Sequence, residues 1–408
     1  MLEQAGNGGD VAIDNGRGHI RQLWVSNFRS LGDNVHVRLT PLTALVGING
    51  SGKSNILDAL RFVRDALTDG LDVAVARRLG IERLRRVATY SRPRNLSVDV
   101  EVVVDGQSST YGFSLAASTG GTYRVAREYL SQWDAAGVET PIFEVSKGRA
   151  VRVPAGLDPA VVADELIMPS ISAHQQVRGV IDALRQVRVH SIFPRELASP
   201  QPVGKTPPMD DNGSNWAAVI RSLSAERHDQ LVSALSRVLP DVVDLKVVTS
   251  GGFDTVEFVH EVAPGRLRRF NAAQESDGTL RIASLLTALL QNDRPSLIGV
   301  EEPELTINPG LLPLLMDFLR EAAMSTPVVV TSHSPELLDL VEADEVRVVE
   351  RHDLVTSVSA LGLGEQDLIR RQLLGPGGLL RAGGLRGSSP AGVAIDDLDD
   401  VVVIGPPA

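Results

Sequence analysis

The sequence predicts an α/β fold: a parallel sheet built around a phosphate-binding loop, with a β-rich lobe and a helical insertion. Three observations predict it. The run Gly47-Ile48-Asn49-Gly50-Ser51-Gly52-Lys53-Ser54 fits the pattern G-x-x-x-x-G-K-[ST] in full. Two later apolar runs, Leu297 to Val300 and Val328 to Val330, lead into Glu301-Glu302-Pro303-Glu304 and Thr331-Ser332-His333-Ser334. Between the loop and these runs, strand-like alternation dominates from Leu96 to Val153, clearest in Ser97 to Val104.

In chain order, Ile20 to Trp24 and Val35 to Leu39 are expected strands, separated by the turn Asn27-Phe28-Arg29-Ser30. Thr43 to Val46 is a short buried strand entering the glycine loop, and Asn55 to Val63 leaves it with apolar residues at helical spacing. Glycines there let successive N–H groups turn inward around an anion, where a Cβ would block the approach. Lys53 adds a point charge for β- and γ-phosphates, Ser54 offers a hydroxyl to Mg²⁺, and the helix presents its positive end. The expected nucleoside triphosphate contacts are therefore Gly47, Asn49, Gly50, Ser51, Gly52, Lys53, Ser54 and Asn55. Gly204-Lys205-Thr206 is a decoy: Ser199 stands where the first glycine is needed, and Pro207-Pro208 forbid the helix.

Asp105-Gly106 supplies a hairpin turn in the strand-rich region. Helical patterning runs from Pro159 to Val187, broken at Pro169, and again from Trp216 to Leu239, with 200–213 expected as an exposed Pro- and Gly-rich loop. The expected organisation is a flexible N-terminus (1–18) and a head formed by 19–95 and 270–375 around an insertion at 96–269. A flexible tail (376–408) carrying Asp396-Asp397-Leu398-Asp399-Asp400 completes it.

Ser296 to Val300 places Glu301 and Glu302 at the tip of a central strand, where ligands of open α/β sheets bind. In a Walker B reading Glu301 orients Mg²⁺ through water and Glu302 polarises the attacking water. His333, at the end of the next strand, is placed to contact a γ-phosphate and report its presence. Ser276 and Gly278, at the start of an apolar helix, form an N-terminal anion site suited to a phosphate presented from outside.

Composition bounds the answer: 408 residues, 43% hydrophobic and 22% charged, suit a globular protein with a large core or two lobes. No apolar run approaches the roughly 18 to 20 residues of a membrane span, and the first eighteen residues lack a signal peptide's apolar core, so a cytoplasmic home is expected. Zero cysteines exclude disulfides, a thiol nucleophile and cysteine zinc sites. A net charge of −11 gives no global attraction to nucleic acid or anionic membrane. Locally, Arg77, Arg78, Arg83, Arg85, Arg86, Arg92 and Arg94 face the single acid Glu82, either as a phosphate-backbone contact or as a solvated, ion-paired face. Neither an internal repeat nor sustained heptads occur, so no long coiled-coil arm is expected.

In this order the residues resemble the ABC-type ATPases of the RecF, SMC and overcoming-lysogenization-defect group, above all their short bacterial AAA family relatives, over about Ile20 to Leu374. The resemblance rests on Asn27-Phe28-Arg29-Ser30, the phosphate loop, Ser276-Asp277-Gly278-Thr279, Glu301-Glu302-Pro303-Glu304 and Thr331-Ser332-His333-Ser334. It implies ATP and Mg²⁺ as cofactors and a homodimer closed by ATP, in which Ser276 and Gly278 of one subunit act on the γ-phosphate held by the other. Asp277 replaces the first glycine of the transporter-type signature, Glu275 stands where leucine is common, and Glu301 replaces aspartate, which adds a methylene to the metal shell and implies slow turnover. The stretch after His333 leaves no room for a Toprim nuclease, so any nuclease is expected from a partner chain.

The implied function is an ATP-hydrolysing switch acting on DNA or through an effector encoded nearby, in DNA repair or anti-phage defence. Two alternatives stay open: a nucleotide-gated scaffold with little turnover, and the motor of a membrane transporter, which would need a Gly-Gly-Gln-like signature that this chain lacks.

Overall fold

The computed structural model describes residues 18–86, 95–371 and 373–388. β1 (His19–Ser26) and β2 (Val35–Arg38) form an antiparallel hairpin. β3 (Leu42–Val46), buried at every position, runs into the glycine loop, and α1 (Lys53–Thr68) leaves it, followed by the short helices α2 (Leu71–Ala76) and α3 (Ile81–Leu84). An antiparallel meander comes next: β4 (Leu96–Val104), β5 (Gln107–Ala117), β6 (Tyr123–Trp133), β7 (Glu139–Ser146) and β8 (Arg149–Arg152). Then follow α4 (Gln175–Arg185), β9 (Val187–His190), α5 (Pro194–Ala198), β10 (Gln201–Pro202), α6 (Trp216–Ser222) and α7 (Ala225–Val238). After β11 (Val242–Ser250), β12 (Phe253–Ala263) and β13 (Arg266–Asn271) the chain enters α8 (Asp277–Leu290), β14 (Leu297–Glu301), α9 (Leu312–Ala323) and β15 (Val328–Ser332). It closes with α10 (Pro335–Leu338), β16 (Val346–His352), β17 (Val355–Ala360), α11 (Leu363–Arg370) and α12 (Pro376–Arg381).

The sheet that positions the site has the order β17-β16-β3-β15-β14-β9, parallel except for the β16–β17 hairpin. Its central strands read Leu-Thr-Ala-Leu-Val, Leu-Ile-Gly-Val-Glu and Val-Val-Val-Thr-Ser, near-continuous apolar runs of the kind needed where helices cover both faces. Register sets Ser332 beside Val46 and Glu301 beside Thr331, so the glycine loop, the glutamate pair and His333 all leave the carboxyl ends of three adjacent strands.

A seven-stranded antiparallel sheet, order β2-β1-β4-β5-β6-β7-β8, packs onto α1 and α4 through a core containing Phe28, Phe62, Tyr111 and Phe113. β1 and β2 thus share a sheet with β4 to β8 on the far side of position 96, while β9, from within 96–269, edges the parallel sheet. A third small sheet, β10-β12-β11 with β13 on β12, packs with α6, α7 and α8 in the second core around Trp216 and Phe258.

Several expected elements are shorter than the sequence pattern implied. The segment before α4 holds only a 3-10 turn at Met168–Ile171, and helix proper waits for the His174 side chain to cap it. The run from Trp216 splits because Ser224 starts a new helix, its hydroxyl accepting from Arg227 N–H. The loop at 200–213 is not wholly exposed: Met209 is buried, and Asp211 turns inward to two arginines. Part of the segment expected as a loose tail is packed: Leu379 is buried, and Arg381 pairs with Glu336 and Asp339. Residues 1–17 and 389–408, the acidic run included, lie outside the described residues. Among the described residues the longest helix is the 16-residue α1, and no helix is long and apolar enough to cross a membrane.

Candidate active site

The glycine loop is shaped by close packing as well as by left-handed backbone. Gly50 (φ 78°) and Gly52 (φ 108°) occupy conformations that side chains disfavour. A Cβ on Gly47 would run into the Val349 carbonyl oxygen, and one on Gly52 into Thr356 Oγ1 and Ser30 Oγ. The cradle is thus one that only glycine permits. Lys53 is buried, and its Nζ donates to the loop's own Gly47 and Ile48 carbonyls at 2.7 and 3.0 Å. Burial pulls its pKa below the ordinary lysine range, while Glu302 and Glu304 pull it upward. Ser51 Oγ is buried without a partner, an orphan hydroxyl inside an anion-sized cradle. Asn49 is exposed at the loop tip, Ser54 is exposed on the first turn of α1, and Asn55 Nδ2 donates to Ser30 Oγ at 2.7 Å.

At the neighbouring strand tips, Glu302 takes the positive φ of 45°, a conformation rare for a side-chain-bearing residue. Its N–H is held by Thr331, through the carbonyl at 3.0 Å and Oγ1 at 3.2 Å, and its Oε1 lies 3.2 Å from His333 Nδ1. Glu301 points to α1 instead, where its Oε1 accepts from Arg61 Nη1 at 2.7 Å. Glu304 is buried, accepts from Ser332 Oγ at 2.6 Å and leaves Oε2 without a partner.

The donor set fits the expected ligand. A glycine cradle, a buried lysine and an orphan hydroxyl match phosphate oxygens. Ser54 and Glu301 are hard oxygen donors, and no group of three or more His, Cys, Asp or Glu among the described residues could hold a metal alone. Hard oxygen donors such as these suit Mg²⁺, which takes one or two protein oxygens and completes its shell with phosphates and water.

Ser276 caps α8, accepting from Thr279 N–H at 3.1 Å, and Gly278 packs against the Thr306 carbonyl. Among the described residues no hydrogen bond joins either to the glycine loop of the same chain. Arg281 ties α8 to the site by donating to the Glu302 carbonyl at 2.9 Å.

Two arginines of the arginine-rich stretch spend their charge internally on acids. Arg78 is buried between Asp58 and Asp65, Arg77 pairs with Asp69, and Arg86 donates to Asn27 Oδ1. Arg83 remains exposed, and Arg92 and Arg94 lie outside the described residues.

Sequence reasoning missed three participants, all distant in the chain. Thr356, on the β16–β17 hairpin, donates to the Ser51 carbonyl at 2.6 Å and meets Ser30 Oγ at 2.8 Å, welding the loop to the Asn27–Ser30 turn. Arg61 clamps Glu301. His260 bridges Asp241 (2.7 Å) and Glu275 (2.9 Å), which explains why a glutamate precedes Ser276. Burial opposes the charged ring, but the bonds to Asp241 and Glu275 outweigh it and raise the pKa. No local signal marks these residues.

Two family models match the chain. The one described as "AAA domain, putative AbiEii toxin, Type IV TA system" covers residues 178–339, and the "RecF/RecN/SMC N terminal domain" covers 19–125. Among curated proteins, structural maintenance of chromosomes protein 1B of Mus musculus is 35% identical over 98 residues, 23% of this chain and 8% of that protein. Its Homo sapiens counterpart is 34% identical over 97 residues, 23% of this chain and 7% of that protein. The chain therefore spans less than a tenth of the length of the curated relatives it matches. Among solved structures, an Smc head bound to the C-winged helix domain of ScpA has a TM-score of 0.53 at 15% identity, covering 85% of this chain and 98% of that one. An Smc head with an extended coiled coil, bound to the C-terminal domain of ScpA and derived from Pyrococcus furiosus, has a TM-score of 0.52 at 13% identity, covering 87% and 99%. The SMC head fold, both family models in chain order and the glycine cradle beside its two strand tips together support a P-loop ATPase of the ABC/RecF/SMC type.

Proposed function

We propose that this chain binds ATP with Mg²⁺ in the glycine loop and hydrolyses it as a dimerising switch. The observation that carries the reading is the facing of Glu302 and His333 at 3.2 Å, on adjacent strand tips next to the phosphate cradle. Lys53 would exchange the Gly47 and Ile48 carbonyls for phosphate oxygens, and Ser51 Oγ would gain the partner it lacks. Ser54 and Glu301 would hold Mg²⁺, which when bound offsets the charge on the β- and γ-phosphates. Glu302 would polarise the attacking water, with the His333 imidazole orienting its carboxylate.

Ser276 is exposed at the N-terminal end of α8, which supports a role in trans for Ser276 and Gly278, closing a homodimer over nucleotide. The role we assign is cytoplasmic, in DNA repair or anti-phage defence, on DNA or through an effector protein. Internal pairing of Arg77 and Arg78 weakens the case for DNA at that stretch. The Arg61–Glu301 pair favours a second reading, a nucleotide-gated scaffold with little turnover.

Light scattering of Glu302→Gln with and without ATP and Mg²⁺ tests the switch. The expected result is a dimer only with ATP, lost on adding Ser276→Arg. A monomer under every condition would overturn it.

A further inference from the structure

Arg61 lies two turns beyond Lys53 on α1 and has four contacts, one of them Nη2 donating to the Val189 carbonyl at 3.4 Å and one, to Asp211, an ion pair without a hydrogen bond. Its Nη1 donates to Glu301 Oε1 at 2.7 Å, its Nη2 to Ser191 Oγ at 2.6 Å, and its Nε lies 3.1 Å from Asp211 Oδ2. Asp211 is gripped from its other side by the Arg64 fork, at 2.9 and 3.1 Å. The guanidinium is therefore fixed by the loop after β9 and by Asp211, whether or not Glu301 stays with it. Glu301 has no comparable alternative: among the described residues its side chain bonds only to Arg61.

We propose that Arg61 is a positioning residue that latches Glu301 away from Mg²⁺ until nucleotide arrives. The inference rests on the reading of Glu301 as the metal carboxylate. A carboxylate in contact with a fixed cation attracts a second cation weakly, and Mg²⁺ binds through one or two carboxylates only when phosphates supply the rest of its shell. Metal arriving alone meets the Ser54 hydroxyl and an already neutralised carboxylate. With nucleotide phosphates, of ADP as well as ATP, supplying the rest of the shell, Ser54 and Glu301 would hold Mg²⁺, Glu301 leaving Arg61 while Asp211 and Ser191 keep the guanidinium in place. The latch also gives a use to the glutamate: an aspartate at 301 would be shorter by one C–C bond, about 1.5 Å, and would fall short of Arg61.

Mn²⁺ titration followed by electron paramagnetic resonance reads this without turnover. Nucleotide-free wild-type protein should bind Mn²⁺ weakly and gain affinity when ADP is added. Arg61→Gln and Glu301→Asp should each tighten nucleotide-free Mn²⁺ binding by at least about tenfold, while Glu301→Gln, which frees Arg61 but removes the charge, should not. If Arg61→Gln fails to fold, Glu301→Asp keeps every other anchor of Arg61 and decides the matter alone. Unchanged nucleotide-free affinity in Glu301→Asp and any folded Arg61→Gln, with normal ADP-dependent binding in the wild type, overturns the latch and leaves the nucleotide site standing. A wild type that gains no Mn²⁺ affinity with ADP overturns the metal reading beneath it.

Discussion

Glu302 Oε1 sits 3.2 Å from His333 Nδ1 because β14 and β15 are parallel neighbours in a register that aligns Glu301 with Thr331. Two residues later on one strand and one residue later on the other, the chains turn the two side chains toward each other. Glu302 accepts a left-handed backbone to do so, held by Thr331. A strained residue kept at a strand tip by two hydrogen bonds points to function more than to packing. Replacing His333 by Ala should therefore lower kcat by on the order of 10²-fold while leaving the KM for ATP nearly unchanged. A steady-state titration separates the two parameters, and an unchanged kcat would remove His333 from the machinery.

Gly50 and Gly52 should differ in their tolerance of a methyl group. Both have positive φ, but an added Cβ meets nothing within 4 Å at Gly50, whereas at Gly52 it meets Thr356 and Ser30. Gly50→Ala should cost only the backbone penalty of about 1–2 kcal/mol. Gly52→Ala should in addition displace Thr356 from the Ser51 carbonyl and weaken nucleotide binding further. Calorimetric binding of ADP to both variants checks this; equal losses would contradict the packing argument.

His260 should give the protein a pH-dependent stability. Its folded pKa is raised above the ordinary value of 6.5 by Asp241 and Glu275 against the effect of burial. The native state then holds the proton more tightly than the unfolded chain, so this contribution is complete below about pH 6.5 and disappears as the pH rises through the folded pKa. Melting temperatures of wild type and His260→Phe should converge as the pH rises from 6 to 8. A gap that stays constant over that range would assign the His260 contribution to packing alone.

Arg78 and Arg83 share one basic stretch and should behave oppositely. Arg78 is nearly fully buried between Asp58 and Asp65 and stacks over the Phe62 ring, so Arg78→Ala strips each buried carboxylate of one of its two arginines, leaving Asp58 to Arg29 and Asp65 to Arg64, and should destabilise by about 3 kcal/mol. Arg83 is exposed, and Arg83→Ala should change stability by less than about 0.5 kcal/mol. Urea denaturation of the two variants distinguishes them, and similar midpoints would contradict the buried ion-pair assignment.

What the sequence made legible was local. The glycine loop, the Glu301-Glu302 strand tip and the His333 strand tip each carry their chemistry within eight residues of an apolar strand, and the parallel sheet brings them together. What it hid was distant. Arg61 meets Glu301 across 240 positions and Thr356 meets Ser51 across 305, and nothing in composition or spacing marks such pairs. The Arg77 to Arg86 stretch stayed open between two readings because the partners of Arg77 and Arg78, namely Asp58, Asp65 and Asp69, lie on the preceding helix and its C-cap, where charge counting within the run could not find them. Glu275 looked like a departure from pattern until β12 supplied His260.

The most direct test of the central claim is the steady-state rate of ATP hydrolysis in Mg²⁺ by the wild type beside Lys53→Ala and Glu302→Gln, with ATP binding measured in parallel. The expected outcome is turnover in the wild type, loss of both binding and turnover in Lys53→Ala, and retained binding with turnover reduced by about 10²- to 10⁴-fold in Glu302→Gln. Wild-type hydrolysis that survives Glu302→Gln unchanged would contradict it.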